Sequence, residues 1–501
     1  MIEWLGLHTA YSNQFSDSLL VLLVLMVPLL MGGVAAFWRP QRRWPVSFVI
    51  LMALLTLGLL ALFLLARQIL EHGSQAWLIE LGPLALHWRA NGLTLLLLLL
   101  TQIVTLASAA YAPAYLKSEV GRGGAQAWLW PLQGVLTTSL SLIWLAGDLL
   151  TLYIGLELMG LAAVGLMLLP GRMEALAAGM RYLLLALVGS LAFLLGVALL
   201  LGGWGRLDLA GLAMLAEPGP VLWVSVALLS AGLLLKAAAF PLHAWLAPVH
   251  SSAWTPVSAL HAALVVKGSF FIAVQLWVVL VPEAKAAAWL VGAMGGAAVL
   301  WGGVLAWRSV KLKDVVAWST VSQLGYLLLG FSLLIGTGPT VAAVAWEGTW
   351  LQLAAHSLAK AGMFLATGNL IFSTGESHVK GLAGASRRMP LSLLSFGIAS
   401  ISLIGLPPSG GFTAKWLLLH AALEAGYLPW LAALALGTLL SAAYVFRVFR
   451  YSFVEDAEPL DYRRVPWSME FFAMILALAS LLLGLVAEWP LLLLRAPGGE
   501  P

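Results

Sequence analysis

The 501-residue sequence contains no cysteine. Thiolate-ligated iron–sulfur clusters and disulfides are thereby excluded, while the redox compartment stays open. Charge is also scarce. Asp, Glu, Lys and Arg make up 10% of the chain, against about 25% in soluble domains. No phosphate-binding loop of the G-x-x-x-x-G-K type, no G-x-G-x-x-G following a strand and no H-E-x-x-H occurs. The nine histidines are too scattered to pair as haem ligands. No metal or cofactor is therefore expected. No basic segment precedes the first apolar run and no small-residue cleavage site follows it, so a cleaved signal peptide is not expected.

Apolar surface is what the chain has in excess. Hydrophobic residues make up 61% and the mean hydropathy is +0.97, which identifies an integral membrane protein. The longest polar stretch is only the loop around Val454–Trp467, too short for a soluble domain. Twenty-three tryptophans suit aromatic belts at helix ends. The formal charge of +4 is spread over loops. It speaks to orientation in the membrane and not to nucleic acid.

Roughly twenty apolar residues cross a bilayer as a helix. That rule predicts spans near 18–37, 45–66, 92–111, 127–147, 149–169, 174–201, 220–246 and 255–280, then 287–307, 314–336, 341–372, 391–425, 428–452 and 468–487. The fold class is thus all-α, with about fourteen transmembrane helices. Loop cations support the frame. Arg39, Arg42, Arg43, Lys117, Arg122, Arg172, Arg308, Lys311, Lys380, Arg387, Arg388, Arg447, Arg450, Arg463 and Arg464 fall on one side. By the positive-inside rule that side is the cytoplasm. The reading places the chain in the cell (inner) membrane with the N- and C-termini outside.

Two segments are broken: 220–246, where Pro241 follows Lys236, and 391–425, where Pro407-Pro408 precede Lys415. Interrupted segments in corresponding positions of two halves point to inverted repeats and to the binding site. Five spans separate them, so two five-helix units are expected. The divisions are 1–111 for the N-terminal helices, 112–280 and 281–453 for the repeats, and 454–501 for the C-terminal helix.

Ionisable groups inside spans are costly and are read by default as functional. Glu157 lies about 12 Å into its span at helical rise, with Lys236 as its expected partner. A static pair would only fix helix packing. A pair that makes and breaks would shift the proton affinity of the lysine, which responds readily to burial. His243 and His250 flank the break at Trp245–Pro248. A lone membrane histidine is often a packing residue, and His250 falls near a loop. His261 and Lys267, six residues apart, share a face only if their helix is distorted. His356 and Lys360, at i and i+4, lie on one face and suit a proton wire. Glu347 is expected at a helix entrance and Asp148 as a solvated cap.

These residues resemble the antiporter-like, proton-translocating membrane subunits shared by respiratory complex I, Mrp-type cation/proton antiporters and membrane-bound hydrogenases. The resemblance rests on LTLYIGLELMGL at 150–161, KAAAFPLHAWLAPVHSSAWTPVSALHAALVVKG at 236–268, KDVVAWSTVSQLGYLLLG at 313–330, HSLAKAGMFLATG at 356–368, KGLAGASRRMPLS at 380–392 and SLIGLPPSGGFTAKW at 402–416. It implies a fourteen-helix fold with two inverted five-helix repeats. It also implies that Glu157 and Lys236 form the family's glutamate–lysine pair and that Lys267 is the central lysine. His261 and His356 would then be the histidines of the hydrated axis, and Lys415 the terminal lysine. One departure stands out: the family's Leu-Pro-Asp after the Trp of the first break is here Leu246-Ala247-Pro248. The resemblance is to the shorter type of subunit, without the long lateral helix of the largest paralogues.

The function expected is proton translocation, with cation/proton antiport and Na⁺ left open, as one subunit of a multisubunit complex. The proton pathway would run through Glu157, Lys236, His243, His261, Lys267, His356, Lys360 and Lys415, with no catalytic activity of its own. Its partners would be other membrane subunits, including paralogues. The alternative is an energy-coupling subunit for a soluble enzyme, of the carbonic-anhydrase-like inorganic-carbon-uptake kind or of a hydrogenase. A haem- or quinone-binding redox subunit and a structural scaffold are the other rivals.

Overall fold

A bilayer offers the backbone no hydrogen-bond partners, so each apolar run must satisfy its own as a helix. The computed structural model describes residues 15–38, 44–81, 84–117, 124–454 and 462–495. Arg39, Arg42, Arg43 and Arg122 of the loop-charge pattern lie outside them. The chain opens with α1 (Phe15–Trp38) and α2 (Trp44–His72). An antiparallel hairpin follows, β1 (Gln75–Leu81) and β2 (Leu84–Ala90), with Trp77 opposite Trp88. Seven-residue strands fall below a twenty-residue apolar window, and the hairpin was not anticipated. Helix α3 (Gly92–Tyr115) then returns across the membrane.

A first unit comprises α4 (Leu129–Leu145), α5 (Leu149–Leu168), α6 (Met173–Trp204), the short α7 (Leu209–Leu215) and α8 (Pro220–Lys236). It continues through α9 (Leu246–Ser252), α10 (Thr255–Leu260) and α11 (Val266–Leu280). A second unit comprises α12 (Lys285–Arg308), α13 (Leu312–Leu334), α14 (Pro339–Thr374), the single turn α15 (Ala385–Arg388), α16 (Pro390–Ile404), α17 (Gly410–Glu424) and α18 (Leu428–Ser452). Helices α19 (Trp467–Leu485) and α20 (Glu488–Arg495) close the described chain.

Counting α8–α9, α10–α11 and α16–α17 as one crossing each, the described elements make fourteen crossings. Among the described residues, nine segments are long and apolar enough to cross alone. In each unit the fourth of five crossings is the broken one. An odd number of crossings starts the second unit on the opposite side from the first, which is the inverted topology expected. The first break is wider than anticipated, because helical structure resumes at Leu246 and runs to Ser252.

Contacts between distant loops support the alternation of sides. Trp88 bridges Ala146, Asp148 bridges Asp208, and Lys311 bridges His378. The Arg447 guanidinium donates to the carbonyls of Trp307 and Ser309. Each contact joins loops that the fourteen-span frame places together.

Asp148 caps α5 by accepting from the Thr151 amide at 2.7 Å. It also accepts from the His87 amide at 2.8 Å. It is a cap as expected, but buried beneath the hairpin and not solvated. Glu347 likewise lies two turns inside α14, not at its entrance, and it pairs with Arg495 of α20. Residues Ala253–Leu280 are buried throughout, and α13 and α14 are nearly so. The most deeply enclosed helices are therefore the ones that carry the central lysines and histidines.

Candidate functional site

Glu157 and Lys236 are brought together from α5 and α8. The Lys236 ammonium lies 2.9 Å from Glu157 Oε1, and the Ser190 hydroxyl of α6 donates to the same oxygen. Lys236 reaches it because α6 and α8 nearly touch at glycines. A Cβ on Gly189 would sit 2.9 Å from the Gly232 carbonyl oxygen. Lys236 is the last residue of α8, and the Trp245 indole N–H donates to the Leu235 carbonyl across the break at 3.1 Å. The lysine side chain is 3% exposed and the glutamate 26%. The carboxylate therefore opens toward the outer face of the bundle within its span.

His243 sits in the break itself, stacked on Phe240 at 5.3 Å and edge-on to Trp318 at 5.7 Å, with Nδ1 unpaired among the described residues. Beyond the break, α10 passes into a π turn at His261–Val265 before α11 begins. The helix between His261 and Lys267 is thus distorted. The Lys267 ammonium donates to the Ala262 carbonyl inside that turn. The Ser357 hydroxyl ties α14 to it through the Ala263 carbonyl at 2.7 Å.

Next to Ser357, His356 is buried with both ring nitrogens unpaired among the described residues. Lys360 is fully buried and donates to the Val316 carbonyl at 2.9 Å and to the Ser319 hydroxyl. Lys360 and His356 both lie within electrostatic reach of Lys267, and His356 also within reach of Lys415. Lys415 follows the second break. It donates to the Leu403 and Ile404 carbonyls, at 2.7 and 3.0 Å, which are the open C-terminal end of α16. Its ammonium also stands 4.2 Å from the Tyr326 ring centroid.

His250 belongs with this cluster although its position near a loop argued otherwise. It is buried in α9 and stacked on Phe364 at 5.0 Å, with both ring nitrogens unpaired among the described residues. It lies within electrostatic reach of His261, Lys267, Lys360 and Lys313. Only the helix that resumes at Leu246 carries it inward. Ser190 and Ser319 also escaped notice, since a serine in an apolar helix carries no signal of its own.

Among the described residues, Lys236–Glu157 is the only lysine–carboxylate ion pair within the spans. Lys267, Lys360 and Lys415 are held by carbonyls, hydroxyls and an aromatic face. No group of three His, Asp or Glu among the described residues could hold a metal ion.

The sequence profile of the NADH:quinone oxidoreductase/Mrp antiporter transmembrane family matches residues 146–441, from the end of α4 into α18. The chain belongs to this family. Within it, the chain is 32% identical over 412 residues to the NADH-quinone oxidoreductase subunit N of Desulforudis audaxviator (strain MP104C), covering 78% of this chain and 80% of that protein. It is 32% identical over 329 residues to the subunit N of Heliobacterium modesticaldum (strain ATCC 51547 / Ice1), covering 64% and 67%. The fold matches a chain of the Mrp complex from Dietzia sp. DQ12-45-1b with a TM-score of 0.87, at 24% identity over 97% of each chain. It also matches a chain of the membrane-bound sulfane sulfur reductase, an archaeal respiratory membrane complex. There the TM-score is 0.85 at 24% identity, over 95% and 96%. These two likenesses speak to the fold of this multi-pass membrane protein.

Proposed function

We propose that this chain moves protons across the cell membrane as one subunit of a multisubunit complex. The route runs through Glu157, Lys236, His243, His261, Lys267, His356, Lys360 and Lys415, with residues 112–280 and 281–453 as its two halves. The observation that carries the reading is the distribution of partners. One lysine, at the start of the row, has a carboxylate within salt-bridge distance. Among the described residues, the others have none.

Like charges in a poorly polarisable interior interact strongly over several ångströms. An ammonium on Lys236 that is released from Glu157 disfavours a second ammonium on Lys267, and a proton is thereby pushed along the row. Reforming the pair draws the next proton in. Unpaired ring nitrogens, both at His356 and Nε2 at His261 among the described residues, are expensive to bury dry, at about 1–3 kcal/mol each. Water recruited to them would link the amines.

Glu157 also supports a partner. A carboxylate that is partly open on the lipid-facing side of its span is costly until something polar covers it. A neighbouring membrane subunit over the α5–α6 face would do so. Its relatives and structural neighbours include subunits of respiratory and Mrp complexes.

The test uses the purified complex in proteoliposomes, with proton uptake under an imposed potassium diffusion potential read by a trapped pH dye. Lys236→Ala should abolish uptake while leaving assembly intact. Uptake at the unsubstituted rate in that variant would remove the basis of the reading.

A further inference from the structure

Lys360 and Lys415 are successive members of the row, yet no hydrogen bond joins them directly. Between them, α13 and α18 face each other with matching polar stripes. On α13 the stripe is Ser319, Gln323 and Tyr326, spaced four and three residues and therefore on one helix face. On α18 it is Ser441 and Tyr444, spaced three. Ser319, Gln323, Tyr326 and Ser441 are 0% exposed and Tyr444 is 1%.

The contacts run in sequence. The Lys360 ammonium donates to the Ser319 hydroxyl. The Ser319 hydroxyl itself donates to the Val316 carbonyl at 2.9 Å, and on α18 the Tyr444 hydroxyl donates to Ser441 Oγ at 3.3 Å. The Tyr326 hydroxyl lies against α18 at Gly437, one turn from Ser441, where a Cβ on the glycine would meet it. That last joint is loose, since Tyr326 Oη makes no hydrogen bond of ordinary geometry among the described residues. The face of the Tyr326 ring carries the Lys415 ammonium. Gln323 binds the ends together: its amide donates to the Leu403 carbonyl at 3.1 Å and to Ser441 Oγ at 3.4 Å. Its oxygen accepts from Gln352 at 3.0 Å. The Leu403 carbonyl is also a ligand of Lys415.

We propose that the hydroxyls of Ser319, Tyr444, Ser441 and Tyr326 relay protons between Lys360 and Lys415, with Gln323 as a positioning residue. The proposal rests on the proton-pathway reading and names groups that lie between two of its lysines. Lys360 gives a proton to Ser319 Oγ as the Ser319 hydroxyl turns from the Val316 carbonyl and passes its proton through one water to Tyr444. The Tyr444 proton passes to Ser441, and that of Ser441 through a second water to Tyr326. The Tyr326 proton reaches the neutral Lys415 amine through one water. One proton leaves Lys360 and one arrives on Lys415. Every hydroxyl ends neutral with its hydrogen bond reversed, so no ion travels through the core. Glutamine gains nothing as a carrier, because its amide would have to tautomerise. Its part is to hold Ser441 beside the carbonyls at the second break.

A structural role for the hydroxyls, as interhelical glue, is the competing account. The test separates the two in the same proteoliposomes. Tyr444→Phe should slow proton uptake about tenfold or more, and Ser319→Ala should do the same. A fluorinated tyrosine, installed at 444 by stop-codon suppression, keeps shape and hydroxyl while making the phenol more acidic. It should change the rate of uptake, because proton transfer follows the acidity of the donor, whereas interhelical glue would leave the rate unmoved. Loss of uptake in Lys236→Ala together with unsubstituted rates in Tyr444→Phe would overturn the relay and leave the proton pathway standing. So would an unchanged rate in the fluorotyrosine protein, even if Tyr444→Phe fails to fold. Retained uptake in Lys236→Ala would instead remove the reading beneath both.

Discussion

A single glycine sets whether Glu157 and Lys236 can meet. Gly189 and Gly232 let the backbones of α6 and α8 approach so closely that a Cβ on Gly189 would lie 2.9 Å from the Gly232 oxygen and 3.3 Å from Lys236 Cγ. Real Cβ atoms do not tolerate the first contact, and backbone oxygen cannot swing away as a side chain can. Gly189→Ala is therefore expected to part the two helices at a cost of about 1–3 kcal/mol. A lowered unfolding temperature of the purified protein would show it. Proton uptake should fall as well, although every titratable group remains, because the lysine no longer spans to its carboxylate. The residues themselves were easy to find. A charged side chain in a run such as LLTLYIGLELMGL announces itself, whereas the serine and tyrosine hydroxyls of α13 and α18 are ordinary in any membrane helix.

At the scale of elements, the breaks do the positioning. A helix that stops inside the membrane leaves carbonyls without partners, and this chain assigns them to side chains. The Trp245 indole takes the Leu235 carbonyl at the first break, and the Lys415 ammonium takes Leu403 and Ile404 at the second. Trp245→Phe keeps the ring volume and strands that carbonyl, so a loss of about 1–3 kcal/mol is expected, measurable as a lower midpoint of denaturation. A variant as stable as the parent would mean that the Leu235 carbonyl finds another donor. Prolines made the breaks legible in advance, but the point at which helix resumes was not. His250 was therefore placed near a loop, whereas the structure buries it in α9. The π turn at His261–Val265 was foreseen only as a condition, since no residue in HAALV demands it and packing against Ser357 of α14 accompanies it.

For the molecule as a whole, the proposed partner surface is the face of α5 and α6 around Glu157. Leu161 and Leu191 are 58% and 66% exposed there, and the absence of cysteine offers a clean background for labelling. Cysteines introduced as Leu161→Cys and Leu191→Cys should react with a membrane-permeant maleimide in the isolated chain. They should be protected in the intact complex. Equal reactivity in both would place the neighbouring subunit elsewhere.

The crossings and their alternation were determined by the sequence alone, because a bilayer imposes one length scale on every apolar run and loop cations mark one side. The broken pair of segments and the ionisable row followed from the same economy of polar groups. What only the tertiary structure decided is which polar groups meet. Glu157 and Lys236 are 79 residues apart, and Lys360 and Ser319 are 41. Their meeting depends on helix approach and rotation, which many small apolar contacts set together and no local pattern encodes. The hairpin, the burial of Asp148 and the inward turn of His250 belong to the same class. Each is a short element whose place is fixed by what packs on it.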